Sequence, residues 1–490
     1  MFKILDRAFN NFTLKVGSGT SWYMFSSIVQ GVLTLATTTT FSHMMNRADF
    51  GLLAVILAFS YFLSPLCSMG VSHAISRSLF DDFVLDRKHL LSLGLTVVTL
   101  MTFLLTLVFT FIFGQGPSRE VTLVIITTIA LSIRELILTQ LRVNENFKYY
   151  LITVSSVSLS GLVAPIVCHF IFSVPVLDAY VCTLFASNLL AFLVFSMKER
   201  SSKPFNYSSL RYSLYVGLII LPHTLSIITL ANMDRIIMSH IVTLQSIGLY
   251  FGAFQLANVI FLVTSSLNNA YTTSVMKENI SAHLYRFERD YIKILRMVLA
   301  LTLTVHTLGR FYIELFFPSY FRNITVFTTF AILCISGFFQ VIYLMNVNLL
   351  SRTATYKKLS FTTPLLVSFA TLSMALLTYF FGIIGAAIAY TTGNLLLAFG
   401  SQILLKRNSD SAIKFERIRY LLLMFVGLCV GVFPSTYIVS VLSISGFFQL
   451  SLFLLGSIIF IFTVKRFWIA KHLIFSIKPP LNRFFDHQRE

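Results

Sequence analysis

Arg134 and Glu135 stand side by side well inside an apolar run, and they are the first residues whose types and setting suggest chemistry. A charge near the centre of a membrane span costs about 2.5–3.5 kcal/mol on insertion scales, so such residues are usually pathway or relay groups facing a partner or a wet cavity. Neighbours on a helix point about 100° apart, so each of the two needs its own surroundings. Arginine keeps its charge at any working pH and offers a planar fork of donors suited to phosphate oxygens. Arg134 is therefore a candidate contact for an anionic cargo and Glu135 a candidate carrier of a coupling proton. The alternative is a fixed salt bridge between two helices, or a side chain reaching for the cytoplasmic interface.

Two polar stripes come next. Ser27, Gln30, Thr34 and Thr37 recur at spacings that put them on one helix face, and Gln255, Asn258, Ser265 and Asn269 do the same later in the chain. Such stripes are costly against lipid. Facing each other they would line a polar cavity; singly, each residue has the plainer role of an interhelical hydrogen bond worth about 0.6 kcal/mol. Gln30, Thr34, Gln255, Asn258 and Asn269 are the expected cargo-binding residues of these stripes. Asp234 and Arg235 close a seventh apolar run and read as a solvated interfacial pair, with Asp234 kept as an ion-coupling candidate. His223, after Pro222, titrates near neutral pH when unperturbed and is a further coupling candidate, set against an ordinary packing histidine. Asp81-Asp82 lacks a third carboxylate at useful spacing and reads as solvated. The chain has no phosphate-binding loop, dinucleotide fingerprint, zinc motif or serine triad pattern, so no cofactor or metal is expected.

The elements that position these residues follow from composition. The 490 residues are 56% hydrophobic and 11% charged, with a mean hydropathy of +0.81. A spanning helix takes about 20 apolar residues. Fourteen candidate spans appear, near 20–42, 51–73, 90–113, 121–141, 149–172, 176–197, 213–233, 246–274, 291–309, 324–350, 359–380, 384–405, 418–439 and 444–464. Strict two-residue alternation is missing, which excludes a barrel. The fold class is thus all-α, a polytopic membrane protein. The cysteines (Cys67, Cys168, Cys182, Cys334, Cys429) lie in apolar runs without a CxxC pair, so neither a disulfide framework nor a zinc site is implied. Lys3, Arg7 and Lys15 precede the first run without a convincing cleavage site, which reads as an uncleaved first helix.

Charge supplies the topology. With the N-terminus inside, 31 of the 37 Lys and Arg fall on the cytoplasmic side, Arg47, Arg119, Arg235, Arg310 and Arg322 fall outside, and Arg134 alone lies within a span. That bias predicts cytoplasmic N- and C-termini. It also accounts for most of the net charge of +18, so nucleic acid is not an expected partner, and attraction to anionic membrane lipids is a by-product. The chain also begins a second time. Asp49-Phe50-Gly51-Leu52 and Ser246-Ile247-Gly248-Leu249-Tyr250 stand in the same relation to their flanking runs, with Gly51 and Gly248 offset by 197 residues. The expected division is a six-helix lobe at 1–200, a second at 201–405, and two extra helices with a basic tail at 406–490.

These stretches carry a resemblance. Asp49-Phe50-Gly51, Arg211-Tyr212-Ser213-Leu214, Asp234-Arg235-Ile236-Ile237, Ile247-Gly248-Leu249-Tyr250 and the hairpin Phe381-Gly382-Ile383-Ile384-Gly385-Ala386-Ala387-Ile388-Ala389 occur in order over about residues 15–405. The chain resembles the polysaccharide and oligosaccharide-lipid flippases of the multidrug/oligosaccharidyl-lipid/polysaccharide exporter superfamily. That resemblance implies twelve core helices in two lobes around a central cavity, two further helices in some members, and alternating access. The implied cargo is a polyprenyl-diphosphate-linked glycan, such as an O-antigen, capsule or exopolysaccharide repeat unit of lipopolysaccharide or related polymers. It is moved across the bacterial inner membrane by a monomer, with glycan polymerase and chain-length proteins as partners. A proton or sodium gradient is the expected drive. A transporter, not an enzyme, is expected, because no extramembrane loop is long enough to hold a catalytic domain. A drug or cation antiporter of the same fold and an integral-membrane glycan polymerase are the competing readings.

Overall fold

The computed structural model describes residues 18–77, 94–104, 106–107, 118–198, 207–277, 280–351 and 356–406. Every described residue belongs to one compact unit. The spans expected at 418–439 and 444–464, Asp81-Asp82 and the basic tail lie outside the described residues. So does the C-terminal division at 406–490, apart from Lys406.

Every regular element among the described residues is helical. The helices are α1 Ser18–Met44, α2 Arg47–Cys67, α3 Val71–Arg77 and α4 Gly94–Leu104. They continue with α5 Arg119–Val143, α6 Phe147–Phe172, α7 Val176–Lys198, α8 Tyr207–Ile241 and α9 Leu244–Lys277. After α10 Ile280–Phe316 comes a 3-10 turn, Ser319–Phe321, then α11 Ile324–Ser351 and α12 Tyr356–Lys406. Nine helices among the described residues are long and apolar enough to cross a membrane. One of them is the 361–405 stretch of α12, which is two arms. Gly382 adopts φ 57° and breaks the helix, a left-handed conformation that costs glycine nothing. The two arms carry the spans expected at 359–380 and 384–405.

The packing repeats in order along the chain. In the first half α1 packs on α6, α2 on α5, and α7 on both α5 and α6; in the second, α8 packs on α12, α9 on α11, and α11 on α12. Between the halves α2 meets α9, α1 meets α9 and α2 meets α8. The two restarts seen in the sequence touch each other. A Cβ on Gly51 would collide with the Leu244 carbonyl, and one on Gly248 would sit 2.9 Å from the Arg47 carbonyl oxygen. Only hydrogen at these two positions lets the α2 and α9 backbones approach so closely.

Both helices also begin in the same way. Asn46 accepts from the Asp49 amide at 2.7 Å and its amide nitrogen donates to the Asp49 carboxylate at 2.8 Å. Thr243 Oγ1 accepts from the Ser246 amide at 3.4 Å and lies 3.0 Å from Ser246 Oγ. In each, the capping side chain satisfies one amide left free in the first turn and is braced by a side-chain contact to the same residue. Asn46 and Thr243, like Gly51 and Gly248, are 197 residues apart.

A clasp beside the caps ties the halves together. Thr39 Oγ1 and Tyr312 Oη lie 3.0 Å apart, and Tyr320 Oη donates to the Ser42 carbonyl at 2.8 Å. The Arg47 guanidinium lies 4.2 Å from the Tyr320 ring centre, and Phe50 meets Phe321 edge-on. Burial pushes the Tyr320 phenol above its ordinary pKa, against the opposing charge of Arg47. Around this clasp runs the largest apolar core, from Phe41 and Phe50 through Phe254 and Phe338 to Tyr390.

Candidate functional site

Arg134, Glu135, His223 and Asp234 fall into three separate polar groups within the helices. The first surrounds Arg134 on α5. Its side chain is half-buried, and it is close enough to Tyr180 of α7 to interact electrostatically. Tyr180, in turn, stands edge-on to Phe41 of α1, with ring centres 5.3 Å apart. Neither an ion pair nor a hydrogen bond engages Arg134 among the described residues. A guanidinium without a partner inside a membrane helix needs water or an anion. A polar seam fixes the register of α5 against α2: Ser132 Oγ donates to the Ser64 carbonyl at 3.3 Å and lies 3.0 Å from Ser64 Oγ, while Ser60 Oγ donates to the Val124 carbonyl at 3.1 Å.

The second group begins at Glu135. Turned away from Arg134, it accepts a 2.6 Å hydrogen bond from Ser72 Oγ on α3. The next residue, His73, crosses to the second half, its Nε2 2.9 Å from Thr224 Oγ1 on α8. His223, next to that threonine, is 8% exposed. Its Nδ1 has no hydrogen-bond partner among the described residues. The structure thus brings Glu135 and His223 to opposite sides of one junction, joined through Ser72, His73 and Thr224. The two end members stand out in the sequence, whereas the three between them escape sequence reasoning. The one visible signal is the pairing of a serine and a histidine just after Met69-Gly70, where α2 breaks and α3 begins.

The third group corrects an expectation. Asp234 and Arg235 are not a solvated interfacial pair: their exposures are 0% and 3%. The apolar run does not end at residue 233, because α8 continues to Ile241 and the break falls at Val242-Thr243. Arg235 Nε donates to Asp234 Oδ1 at 3.0 Å, and Arg235 Nη2 donates to the Ala231 carbonyl at 2.7 Å. Tyr250 Oη donates to Asp234 Oδ2 at 2.6 Å. The guanidinium also lies 4.1 Å from the Phe254 ring centre. With both charges compensated the helix has no reason to stop at the polar tetrapeptide. Arg134 is therefore not the one arginine within a span. Arg310 is another, since α10 runs on to Phe316; it pairs with Glu314 at 3.0 Å.

The stripe residues Gln30 and Thr34 on α1, and Gln255 and Asn258 on α9, are all half-buried. Asn258 Nδ2 donates to Gln255 Oε1 on its own helix at 3.4 Å. Among the described residues none of the four side chains bonds to another helix, although α1 and α9 pack together. The Asn269 side chain lies outside the described residues. Elsewhere a groove of about 620 Å³ opens between α2, α8 and the first arm of α12, lined by Phe62, Leu225, Thr229, Ile237, Pro364 and Leu372. It holds none of the expected site residues. No group of three or more potential metal ligands occurs among the described residues.

Comparison with known proteins bears on the family and the fold. The model of the family described as polysaccharide biosynthesis protein matches residues 16–276. No curated protein matches the sequence. Among solved structures, the lipid II flippase MurJ in an inward closed conformation superposes with a TM-score of 0.59 at 13% identity, over 89% of this chain and 99% of that one. The MATE multidrug transporter DinF-BH gives 0.53 at 13% identity, over 80% and 95%. A Vibrio cholerae MATE transporter, VcmN, gives 0.52 at 10%, over 83% and 99%. At these identities the likeness is one of fold: that of polytopic helical transporters.

Proposed function

The chain belongs to the polysaccharide biosynthesis protein family, and from that membership we propose that it is a flippase. It carries a polyprenyl-diphosphate-linked oligosaccharide from the inner to the outer leaflet of a bacterial cytoplasmic membrane. The observation that carries this reading is Arg134. A cargo of that class holds its negative charge where sugar meets lipid, so its head needs a cation during the crossing. Arg134 is permanently charged, half-buried and without an ion pair or hydrogen bond among the described residues. A planar guanidinium can grip two phosphate oxygens at once. The half-buried amides and hydroxyl of Gln30, Thr34, Gln255 and Asn258, with Asn269, offer donors and acceptors to sugar hydroxyls.

In this reading residues 1–200 and 201–405 are lobes that rock about the Gly51–Gly248 contact, with 406–490 adding two helices and a cytoplasmic tail. Both termini are cytoplasmic, and the unit is a monomer that passes its product to a glycan polymerase and chain-length proteins. O-antigen, capsule and exopolysaccharide units are the cargo classes that fit. An ion or proton gradient supplies the drive. Asp234 is already engaged by Arg235 and Tyr250, which leaves Glu135 and His223 for coupling.

The test is reconstitution of the purified chain in vesicles containing a polyprenyl-diphosphate oligosaccharide in both leaflets. A membrane-impermeant glycosidase outside should digest nearly all the glycan with the wild-type chain. It should digest only the outer share with empty vesicles or with Arg134→Ala. Digestion no greater than in empty vesicles, together with gradient-driven movement of a cationic dye, would replace this reading with that of a cation antiporter.

A further inference from the structure

The junction of α3, α5 and α8 has a composition that neither packing nor cargo binding calls for. Three ionisable side chains meet there. Glu135 and His73 come from the first half and His223 from the second. They surround a single inter-half hydrogen bond, His73 Nε2 to Thr224 Oγ1 at 2.9 Å. Ser72 holds the carboxylate from one side at 2.6 Å. Glu135 and Arg142 of α5 act on His73 electrostatically, and His73 acts on His223. Beside the hydrogen bond the backbones close in: a Cβ on Gly70 would lie 2.7 Å from the Gly217 carbonyl oxygen. The α8 side is the weaker wall. Pro222 lacks the amide that would bond the Leu218 carbonyl. Thr224 Oγ1 lies nearer to His73 Nε2 than to the Ile220 carbonyl, 3.3 Å away, so its hydroxyl can donate to the neutral ring. The buried Nδ1 of His223 has no partner among the described residues, although a buried polar atom is normally satisfied.

We propose that His73, together with Glu135 and His223, is the binding site of the coupling proton, and that its occupancy decides whether the two halves are joined here. This rests on the reading of the chain as a gradient-driven transporter. With His73 neutral, the imidazole bonds Thr224 and the junction is closed. A proton taken from water at His73 Nε2 makes both ring nitrogens donors, so the ring no longer accepts from the Thr224 hydroxyl. The imidazolium is drawn to the Glu135 carboxylate on its own half and repelled by Arg142. A second proton on nearby His223 would be repelled by the first on His73, so the site holds one proton. Moving His73 toward Glu135 removes the His73–Thr224 hydrogen bond that crosses this junction. Opening then exposes the imidazolium to water, which takes the proton away. No other bond forms or breaks.

Hydrogen–deuterium exchange of the full chain in lipid nanodiscs, read by mass spectrometry across about pH 5–8 where histidine titrates, tests this without any cargo. After correction for intrinsic exchange, peptides covering 68–77 and 217–228 should lose protection on acidification, while core peptides around 250–260 stay constant. His73→Gln and Glu135→Gln should each abolish the pH-dependent change. Thr224→Val should leave both peptides unprotected at every pH, and His223→Gln should shift the midpoint. An unchanged pH response in His73→Gln, or none in the wild type, overturns the proposal. The constant core peptides separate that outcome from misfolding. A chain that flips glycan with a pH-independent junction loses the proton site and keeps its function. A chain with a pH-dependent junction that flips none keeps the site and loses the cargo.

Discussion

Two helices of this chain carry an acid and an arginine in adjacent positions within the membrane, and the two pairs behave oppositely. On α8, Asp234 and Arg235 are sealed from solvent and bonded to each other, with Tyr250 on the carboxylate and Phe254 beneath the guanidinium. On α5, Arg134 and Glu135 are half-buried and turn to different neighbours, Tyr180 and Ser72. Adjacency on a helix decides neither outcome. What separates them is whether a second helix supplies a matching group. Tyr250 of α9 reaches Asp234 and frees its other oxygen for Arg235. Nothing described does the same for Arg134. A charge pair completed by its neighbours is part of the frame, whereas an incomplete one is open to a ligand.

Removing one member of the closed pair should give the largest effect. Arg235→Ala leaves a bare carboxylate in the core, for which about 3–5 kcal/mol of lost stability is expected, read as a large drop in thermal midpoint and folded yield. Asp234→Ala should match it. Tyr250→Phe removes one hydrogen bond to a charged acceptor and should cost about 1.5–3 kcal/mol. If Asp234→Ala melted like the wild type, the pair would not be the structural element described here.

The open pair should invert that pattern. Arg134→Ala removes no ion pair or hydrogen bond among the described residues, so stability should stay within about 0.5 kcal/mol. Glycan translocation should fall by roughly ten-fold or more, the equivalent of about 1.5–3 kcal/mol for a charge-assisted bond. Arg134→Lys keeps the charge but not the fork, and should retain part of the transport. Normal translocation by well-folded Arg134→Ala would show that the free guanidinium does not touch the cargo. Loss of folded protein, restored by a charge swap elsewhere, would make it a brace like Arg235.

The contrast between the pairs also marks what can be read in a sequence. The helices were legible because apolar runs repeat at membrane length. The restart was legible because Gly51 and Gly248 serve the same purpose, and their capping pairs at Asn46 and Thr243 share the same offset. Sequence alone misplaces Asp234-Arg235, because a charged pair at the end of an apolar run looks like an interface. The residue that buries it, Tyr250, is 16 positions away on the next helix and looks like any aromatic. His73 was missed for a related reason: its partner Thr224 is 151 residues distant. A single sequence lists ionisable groups but cannot show which of them the fold completes.

A third ion pair provides the control for this account. Arg119 and Asp178, at the starts of α5 and α7, meet at 2.6 Å, a bond as short as any in the buried group, yet their side chains are 52% and 24% exposed. If completion by the surroundings in a dry site is what matters, geometry alone should yield little here, since water solvates either ion when its partner is removed. Arg119→Ala and Asp178→Ala should each cost at most about 1 kcal/mol, and a double-mutant cycle should return about 0.2–1 kcal/mol for the pair. Raising the salt concentration should shrink that coupling, because exposed charges are screened; the Asp234–Arg235 coupling should hardly respond. A salt-insensitive coupling at Arg119–Asp178 as large as that at Asp234–Arg235 would mean that short distance, not burial and completion, separates structural pairs from free ones. Arg134 would then lose its standing as the exception.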